Sequence, residues 1–322
     1  MKAIIVREFG NPDVMKIETL TDLEPDRGQV LVSLKAVGVN PVETYIRSGN
    51  YARKPDLPFT PGRDGAGIVK AIGPGVTTVK EGDRVYLSGT MTGTYAEETL
   101  CKAEDVHLLP DEASFEAGAC LGIPYSTAYR ALFQKAQALP GEWVLIQGAT
   151  GGVGTAALQL AAARGIAVIA TGGSEQGRKL AKEQGADEVL DHHSANYLDA
   201  VDKITGGHGV DVILETTAHI NLGKDLKILA DNGRVIVIGN RGDVSIDPRN
   251  AMEKEASILG VMLSRATDAE KKEMHAALYA GLRNKTLNPV IREVLPLEQA
   301  PKAHIKVLES GSAGNIILRS WY

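Results

Sequence analysis

The pattern of apolar and polar positions changes character about a third of the way along the chain. Val30, Val32 and Leu34 alternate with Leu31, Ser33 and Lys35, the period of two expected of a half-buried strand. Ile68-Val69-Lys70-Ala71-Ile72 and Arg84-Val85-Tyr86-Leu87 are further short apolar runs. The turn signals Gly73-Pro74-Gly75 and Glu81-Gly82-Asp83 punctuate them. Nothing long and helical is expected before about residue 114.

From near residue 125 the apolar runs become continuous. Trp143-Val144-Leu145-Ile146 leads through glycines into a helix to about residue 163, and Ile166-Ala167-Val168-Ile169-Ala170 into a helix over about 175–184. Glu188-Val189-Leu190, Val210-Asp211-Val212-Ile213-Leu214 and Arg234-Val235-Ile236-Val237-Ile238 follow, with helical segments between them. Strands alternating with helices at this spacing predict an α/β parallel sheet covered on both faces, which is why the strands read apolar throughout. Residues 257–263 offer a sixth strand, the number that completes a dinucleotide-binding sheet. Thr267-Asp268-Ala269-Glu270 is a capping box that starts a helix to about residue 282. Residues 289–295 read as extended, 297–308 as helical and 315–319 as a last strand. This tail is too short for a domain of its own and is expected to pack back onto the N-terminal one.

At 322 residues the chain has room for two domains of roughly 100–200 residues each. Hydrophobic residues at 43% and charged residues at 23% give an ordinary globular balance, which sets aside disorder, collagen and coiled coil. The net charge of −5 argues against a nucleic-acid-binding domain, which is normally basic. Cys101 and Cys120 are too few for a four-cysteine metal site or a disulfide framework; they suit a reducing cytoplasm as small buried hydrophobes. The start, Met1 to Glu8, has too short an apolar run for a signal peptide. The most apolar helical segment, 156–163, contains Gln159 and falls short of the ~20 apolar residues of a membrane span. A cytoplasmic protein without a membrane partner is expected.

Gly148-Ala149-Thr150-Gly151-Gly152-Val153-Gly154 stands between a predicted strand and a predicted helix. Glycines there let the backbone approach a pyrophosphate, whose charge the helix N-terminus stabilises. The spacing is G-x-x-G-x-x-G, not the usual G-x-G-x-x-G. An NAD-type site also carries an acid about 20 residues on, at the end of the second strand. Here that strand ends Ala170-Thr171-Gly172-Gly173-Ser174 with no carboxylate, and Arg178 and Lys179 follow. NADPH is therefore expected over NADH, with Glu175 against the preference and a solvated helix face the plainer reading of Arg178.

Several segments resemble the zinc-independent quinone oxidoreductases, the zeta-crystallin-like branch of the medium-chain dehydrogenase/reductases. They are Gly38 to Gly49 (GVNPVETYIRSG), Pro61 to Gly67 (PGRDGAG), Gly122 to Arg130 (GIPYSTAYR), Asn221 to Leu229, Gly233 to Val237 and Gly239 to Gly242. The resemblance covers the whole chain. It implies a Rossmann NADP-binding domain over 125–264 and a β-rich GroES-like catalytic domain, discontinuous in sequence, over 1–124 and 265–322. At the places where zinc-dependent relatives carry metal ligands, this chain has Asn40, Gly62-Arg63-Asp64 and Ile123. Zinc prefers Cys and His, so no catalytic metal is expected. His192-His193, read on a strand where neighbours point to opposite faces, makes a poor chelate.

The resemblance further implies that Thr150, Gly151, Gly152 and Val153 face the pyrophosphate, and that Gly173, Ser174, Arg178 and His192 lie along the adenosine. Asn221, Ile238, Gly239, Asn240, Arg241, Val261, Met262 and Leu263 would flank the ribose and nicotinamide. Asn40, Tyr45 and Tyr51 are the candidate catalytic residues, with Tyr45 also at the cofactor. Asn40 alternatively holds the cofactor or a backbone group, and Tyr45 alternatively is a core phenol. Without a Lewis acid to hold an alkoxide, alcohol oxidation is disfavoured, and the expected activity is reduction of an ortho-quinone-type acceptor by NADPH. Reduction of an enone or alkenal double bond is the alternative. A non-catalytic structural or RNA-binding role is the alternative of another class, and 5% aromatic content gives it little stacking platform. Residues 257–263 would form an apolar edge strand, so self-association to a dimer or tetramer is expected.

Overall fold

The computed structural model describes residues 1–309, 311 and 313–321. Its contacts divide the chain into unit 1, Met1–Ile123 with Ala277–Tyr322, and unit 2, Pro124–Ala276. In chain order the elements are β1 (Lys2–Val6), β2 (Met15–Thr19), β3 (Gln29–Val39), α1 (Pro41–Arg47), β4 (Gly65–Ile72), β5 (Arg84–Leu87), β6 (Glu98–Lys102), β7 (Val106–Leu108), α2 (Phe115–Gly118) and α3 (Ser126–Tyr129). Then come β8 (Trp143–Ile146), α4 (Gly152–Ala162), β9 (Ala167–Thr171), α5 (Glu175–Glu183), β10 (Glu188–Leu190), α6 (Tyr197–Ile204), β11 (Val210–Glu215), α7 (Ala218–Ile228), β12 (Leu229–Val237), α8 (Pro248–Glu253) and β13 (Ser257–Gly260). The last are α9 (Asp268–Arg283), β14 (Ile291–Pro296), α10 (Ala300–Lys306) and β15 (Asn315–Arg319).

Unit 2 is the expected Rossmann fold, a six-stranded parallel sheet in the order β10-β9-β8-β11-β12-β13. Counted along the chain this is the order 3-2-1-4-5-6, so the strand direction of travel reverses between β8 and β11. Val144, Leu145, Val168, Ile169, Val212 and Ile213 are fully buried, which explains their continuous apolar runs. Each such side chain contributes about 1.5–3 kcal/mol on burial. The sixth strand is shorter than the sequence suggests: β13 stops at Gly260, because its partner β12 ends at Val237, opposite Gly260. Val261, Met262 and Leu263 lie beyond it, leading into a 3-10 turn over Leu263–Arg265.

Unit 1 holds a seven-strand sheet in the order β14-β15-β3-β4-β5-β7, with β6 also on β3. The C-terminal tail joins this sheet: β15 runs antiparallel to β3 and parallel to β14. The capping box forms, with Thr267 N donating to Glu270 Oε2 at 2.7 Å and Glu270 N to Thr267 Oγ1 at 3.3 Å. The first turns of α9 are held by Arg130 Nη1 to Glu270 Oε1 at 2.9 Å and by Tyr129 Oη donating to Glu273 Oε1 at 2.8 Å, so residues up to Ala276 group with unit 2. Both cysteines are buried, and burial pushes the Cys101 thiol up to about 12. No helix among the described residues is long and apolar enough to cross a membrane.

Candidate active site

In unit 2 the glycine turn lies at the carboxyl end of β8. Gly148 has φ +71°, and a β-carbon at Gly154 would fall 2.5 Å from the Ala149 backbone, so both positions require glycine. Gly151 is the N-cap of α4 and makes no side-chain cap. Gly151 thus brings no side chain over the first amides of α4, those of Gly152, Val153 and Gly154, and helix N-terminal amides are the donors an anion needs. Helix α5 differs: Ser174 caps it by accepting from Gly177 N at 3.1 Å. The Ser174 hydroxyl hydrogen is left to donate elsewhere. The Thr150 methyl lies 2.9 Å and 3.3 Å from where β-carbons of Gly177 and Gly172 would stand. The glycine turn and the β9–α5 connection thus touch.

The adenosine-side residues Gly173, Ser174, Arg178 and His192 come together, with additions the sequence did not suggest. Arg178 is not a free cation on a solvated face. Its Nη1 donates to Asp191 Oδ2 at 2.9 Å and to Gly172 O at 3.3 Å. The absence of an acid after β9 thus held for that loop alone; Asp191 enters from the end of β10. The histidine pair is also corrected. β10 ends at Leu190, so His192 and His193 sit in a turn, and their rings stack edge-on at 4.4 Å instead of facing apart. Their Nε2 atoms approach within 2.9 Å and 2.7 Å of a β-carbon position on Gly173.

On the other side of the switch point, Gly239 packs 2.3 Å, by its β-carbon position, from Thr216 O, so β11 and β12 end close together. Asn221 Nδ2 donates to Thr217 Oγ1 at 3.1 Å, and Thr217 donates through its amide and hydroxyl to Glu215 Oε1. Ile238 N donates to Glu215 O at 2.8 Å and Val261 N to Val237 O at 3.1 Å. Asn240, Arg241 and Met262 are more exposed; Asn240 Nδ2 donates to Gly242 O at 2.7 Å, and Arg241 N to His219 Nδ1 at 3.3 Å. Beneath this edge lies a buried relay. Gly148 N donates to Thr171 Oγ1, Thr171 Oγ1 to Gln147 Oε1, and Gln147 Nε2 to Asp225 Oδ1 at 3.1, 3.0 and 3.2 Å. Burial, and then Glu215 beside it, holds the Asp225 carboxyl far above the usual carboxylate range. Glu215 Oε2 and Asp225 Oδ2 take no donor from any described residue, and the raised Asp225 carboxyl lies beside Glu215.

In unit 1 Asn40 is the buried N-cap of α1, and Tyr45 is half-buried on the same helix; Tyr51 is half-buried in the loop after it. Asn40 Nδ2 donates to Asp64 Oδ2 at 2.9 Å, and Ile123 N donates to the same oxygen at 3.0 Å. Asn40 N donates to Glu43 Oε2 at 3.0 Å, which also accepts from Tyr95 Oη at 2.8 Å; Tyr95 Oη in turn lies 3.0 Å from His304 Nε2. Glu43, Tyr95 and His304 were not suggested by sequence reasoning. The N-x-x-E spacing with Pro41 at the first helical position was the signal that could have found Glu43.

Two family profiles match, "Alcohol dehydrogenase GroES-like domain" over residues 26–111 and "Zinc-binding dehydrogenase" over 152–279. Quinone oxidoreductase of Homo sapiens is 47% identical over 320 residues, covering 99% of this chain and 97% of that protein. The chain belongs to the quinone oxidoreductase family of medium-chain dehydrogenases/reductases. Among solved structures, Escherichia coli quinone oxidoreductase complexed with NADPH superposes with a TM-score of 0.88 at 29% identity, over 98% of this chain and 100% of that one. An NAD-dependent alcohol dehydrogenase reaches 0.92 at 30% identity, over 99% of each chain. The protein is an oxidoreductase of this family, and the glycine turn of unit 2, whose N-cap Gly151 carries no side chain, would fit a dinucleotide such as the NADPH of the Escherichia coli structure.

Two of the buried carboxyls of unit 1, Asp64 and Glu43, are raised by their surroundings. Asp64 is pushed up to about 7 by burial and then by Glu43, and Glu43 to about 7 by burial. Below pH ~4 both are protonated whether folded or not. Between about 4 and 7 the folded state holds protons that the unfolded state has released, so stability falls as pH rises through that window and levels off above it. Asp64→Asn cannot ionise and keeps an oxygen to accept from Asn40 and Ile123. Its thermal midpoint is expected to drop less than the wild type's between pH 5 and 8, leaving it more stable at pH 8 by about 1.4 kcal/mol, one pKa unit, or more. Parallel pH profiles for the two proteins would refute this reading of Asp64.

Proposed function

We propose that the protein is a zinc-independent NADPH:quinone oxidoreductase that reduces ortho-quinone-type acceptors in the cytoplasm. The acceptor class rests on one observation, the full-length likeness to human quinone oxidoreductase. NADPH, when bound, supplies the hydride. The amides of Gly152, Val153 and Gly154, with the α4 dipole, offset the pyrophosphate charge, and Thr150 and Gly151 line its approach. Gly173, Ser174, Arg178 and His192 take the adenosine side. Asn221, fixed by Thr217, and residues 238–241 and 261–263 take the ribose and nicotinamide side.

In unit 1, Asn40 and Tyr45 are proposed as donors to the acceptor oxygen as negative charge grows on it, with Tyr51 a further candidate. One Asn40 amide hydrogen is committed to Asp64, which leaves the second to donate. A quinone spreads the incoming charge through its π system, so hydrogen-bond donors suffice where an alkoxide would need a metal. Loss of NADPH absorbance on adding 9,10-phenanthrenequinone tests the activity. Turnover of enones with none of the quinone would replace this reading by the double-bond reductase.

NADPH is expected to bind at least tenfold more tightly than NADH, and Arg178→Ala to narrow that gap. Equal dissociation constants in the wild type would remove the basis for the preference.

Turnover should survive exhaustive dialysis against EDTA, since an amide, an arginine and an isoleucine stand in the metal-ligand places and Asp64 Oδ2 already accepts two hydrogen bonds. Activity lost to EDTA and restored by zinc would overturn zinc independence.

Self-association through β13 completes the proposal. β13 is the edge of the unit 2 sheet, Ile258 on it is 41% exposed, and the chain's last strands pair in the other sheet. A second copy adding its own β13 about a two-fold axis would extend the sheet. Ile258→Lys with Val261→Glu should then dissociate the assembly before it unfolds the chain. A wild type that sediments as a monomer at micromolar concentration would exclude it.

A further inference from the structure

β9 is the second strand of the unit 2 sheet in chain order, and Gly172, Gly173 and Ser174 lead from it into α5. In dinucleotide-binding folds this is where the ribose 2′ position is read: an acid favours a hydroxyl there, and a guanidinium favours a phosphate. This chain brings both charges to the one place. Arg178 lies along Gly172 and is held through Nη1 alone, by Gly172 O and Asp191 Oδ2. Asp191 is held in turn, its Oδ1 accepting from His193 N at 2.9 Å.

We propose that Asp191 is a specificity-determining residue: its carboxylate occupies Arg178 and sets a negative charge beside the 2′ position, so it limits the preference for NADPH over NADH. The proposal rests on the NADPH reading above. The Arg178 and Asp191 side chains are 28% and 37% exposed. An ion pair that open is a weak restraint, which a dianionic phosphate displaces readily. The carboxylate, however, stays where it is, because the His193 amide keeps hold of Oδ1. It also stays ionised, since that same amide and then Arg178 hold its pKa below the usual carboxylate range. Its repulsion falls on the cofactor with a 2′-phosphate and spares the one with a 2′-hydroxyl. Arg178 thus attracts the phosphate while its own partner opposes it.

Asp191→Asn removes the charge and keeps an oxygen for the His193 amide, so the turn should hold its shape. Calorimetric titration of wild type, Asp191→Asn and Arg178→Ala with NADPH, NADH, 2′,5′-ADP and 5′-AMP reads binding without turnover. The expected result is a five- to tenfold tighter dissociation constant of Asp191→Asn for NADPH and 2′,5′-ADP. Its affinities for NADH and 5′-AMP should stay within twofold of wild type, and Arg178→Ala should weaken only the phosphate-bearing pair. Unchanged or weaker NADPH binding by Asp191→Asn, or an equal gain for both cofactors, overturns the proposal while leaving the NADPH assignment intact. A wild type that binds neither NADPH nor 2′,5′-ADP removes that assignment instead.

Discussion

A β-carbon at Gly154 would lie 2.5 Å from the backbone of Ala149, so the turn from β8 into α4 exists only because glycine stands there. Much of the cofactor edge is arranged around that turn. It lets the helix begin just after the strand, with an N-cap residue that carries no side chain. It also fixes Gly148 N on Thr171 Oγ1 and Ala149 N on Thr171 O, which ties the end of β9 to the end of β8. From Thr171 the hydrogen bonds continue through Gln147 to Asp225; beside Asp225 stands Glu215, which accepts from Thr217, itself the acceptor of Asn221. The residues proposed for the two ends of the dinucleotide are thus backed beneath the sheet edge by two polar chains that meet at the Asp225–Glu215 pair.

That relay costs stability as well as conferring order. Removing an ionised carboxylate from water is expensive unless it is paired and hydrogen-bonded. Both units meet this cost by neutralisation. Asp225 keeps its proton beside Glu215, and Asp64 and Glu43 are both held up near neutrality. A neutral carboxyl still accepts hydrogen bonds and donates one, so it fixes the groups around it without an unscreened charge. A partly satisfied polar network would be worse than an apolar core, which makes each of these contacts sensitive to a single substitution.

The sheet of unit 2 was readable because burial on both faces leaves uninterrupted apolar runs, and the start of α9 because a capping box is a local signal. The turn at Gly148 was readable for the same reason. What escaped was built from residues far apart in sequence. Asn40 meets Asp64 across 24 positions, Tyr95 meets Glu43 across 52 and His304 across 209. No periodicity announces such pairs. Asp191 and Arg178 are only 13 apart, yet they meet because β10 ends at Leu190 and turns its next residues toward α5. The same early ending brings the two histidine rings together, and the matching end of β12 at Val237 shortens β13. Strand existence follows from composition; strand ends follow from partners, and the site is made at strand ends.

The metal-ligand places show what such a long-range network can replace. By resemblance, zinc-dependent relatives carry ligands at the places of Asn40, of Arg63 within Gly62-Arg63-Asp64, and of Ile123. Here the side-chain amide of Asn40 and the backbone amide of Ile123 both donate to Oδ2 of Asp64, the neighbour of Arg63, so the same three segments are cross-linked by two hydrogen bonds. These partners are donors, and a cation needs acceptors, so the cross-link and a metal are alternatives at this oxygen. The geometric role of a ligand set, fixing three distant segments of one unit, therefore survives the change of residues, while under the proposed zinc independence its Lewis acidity would not. An acceptor that delocalises its own charge is the substrate class for which that loss matters least.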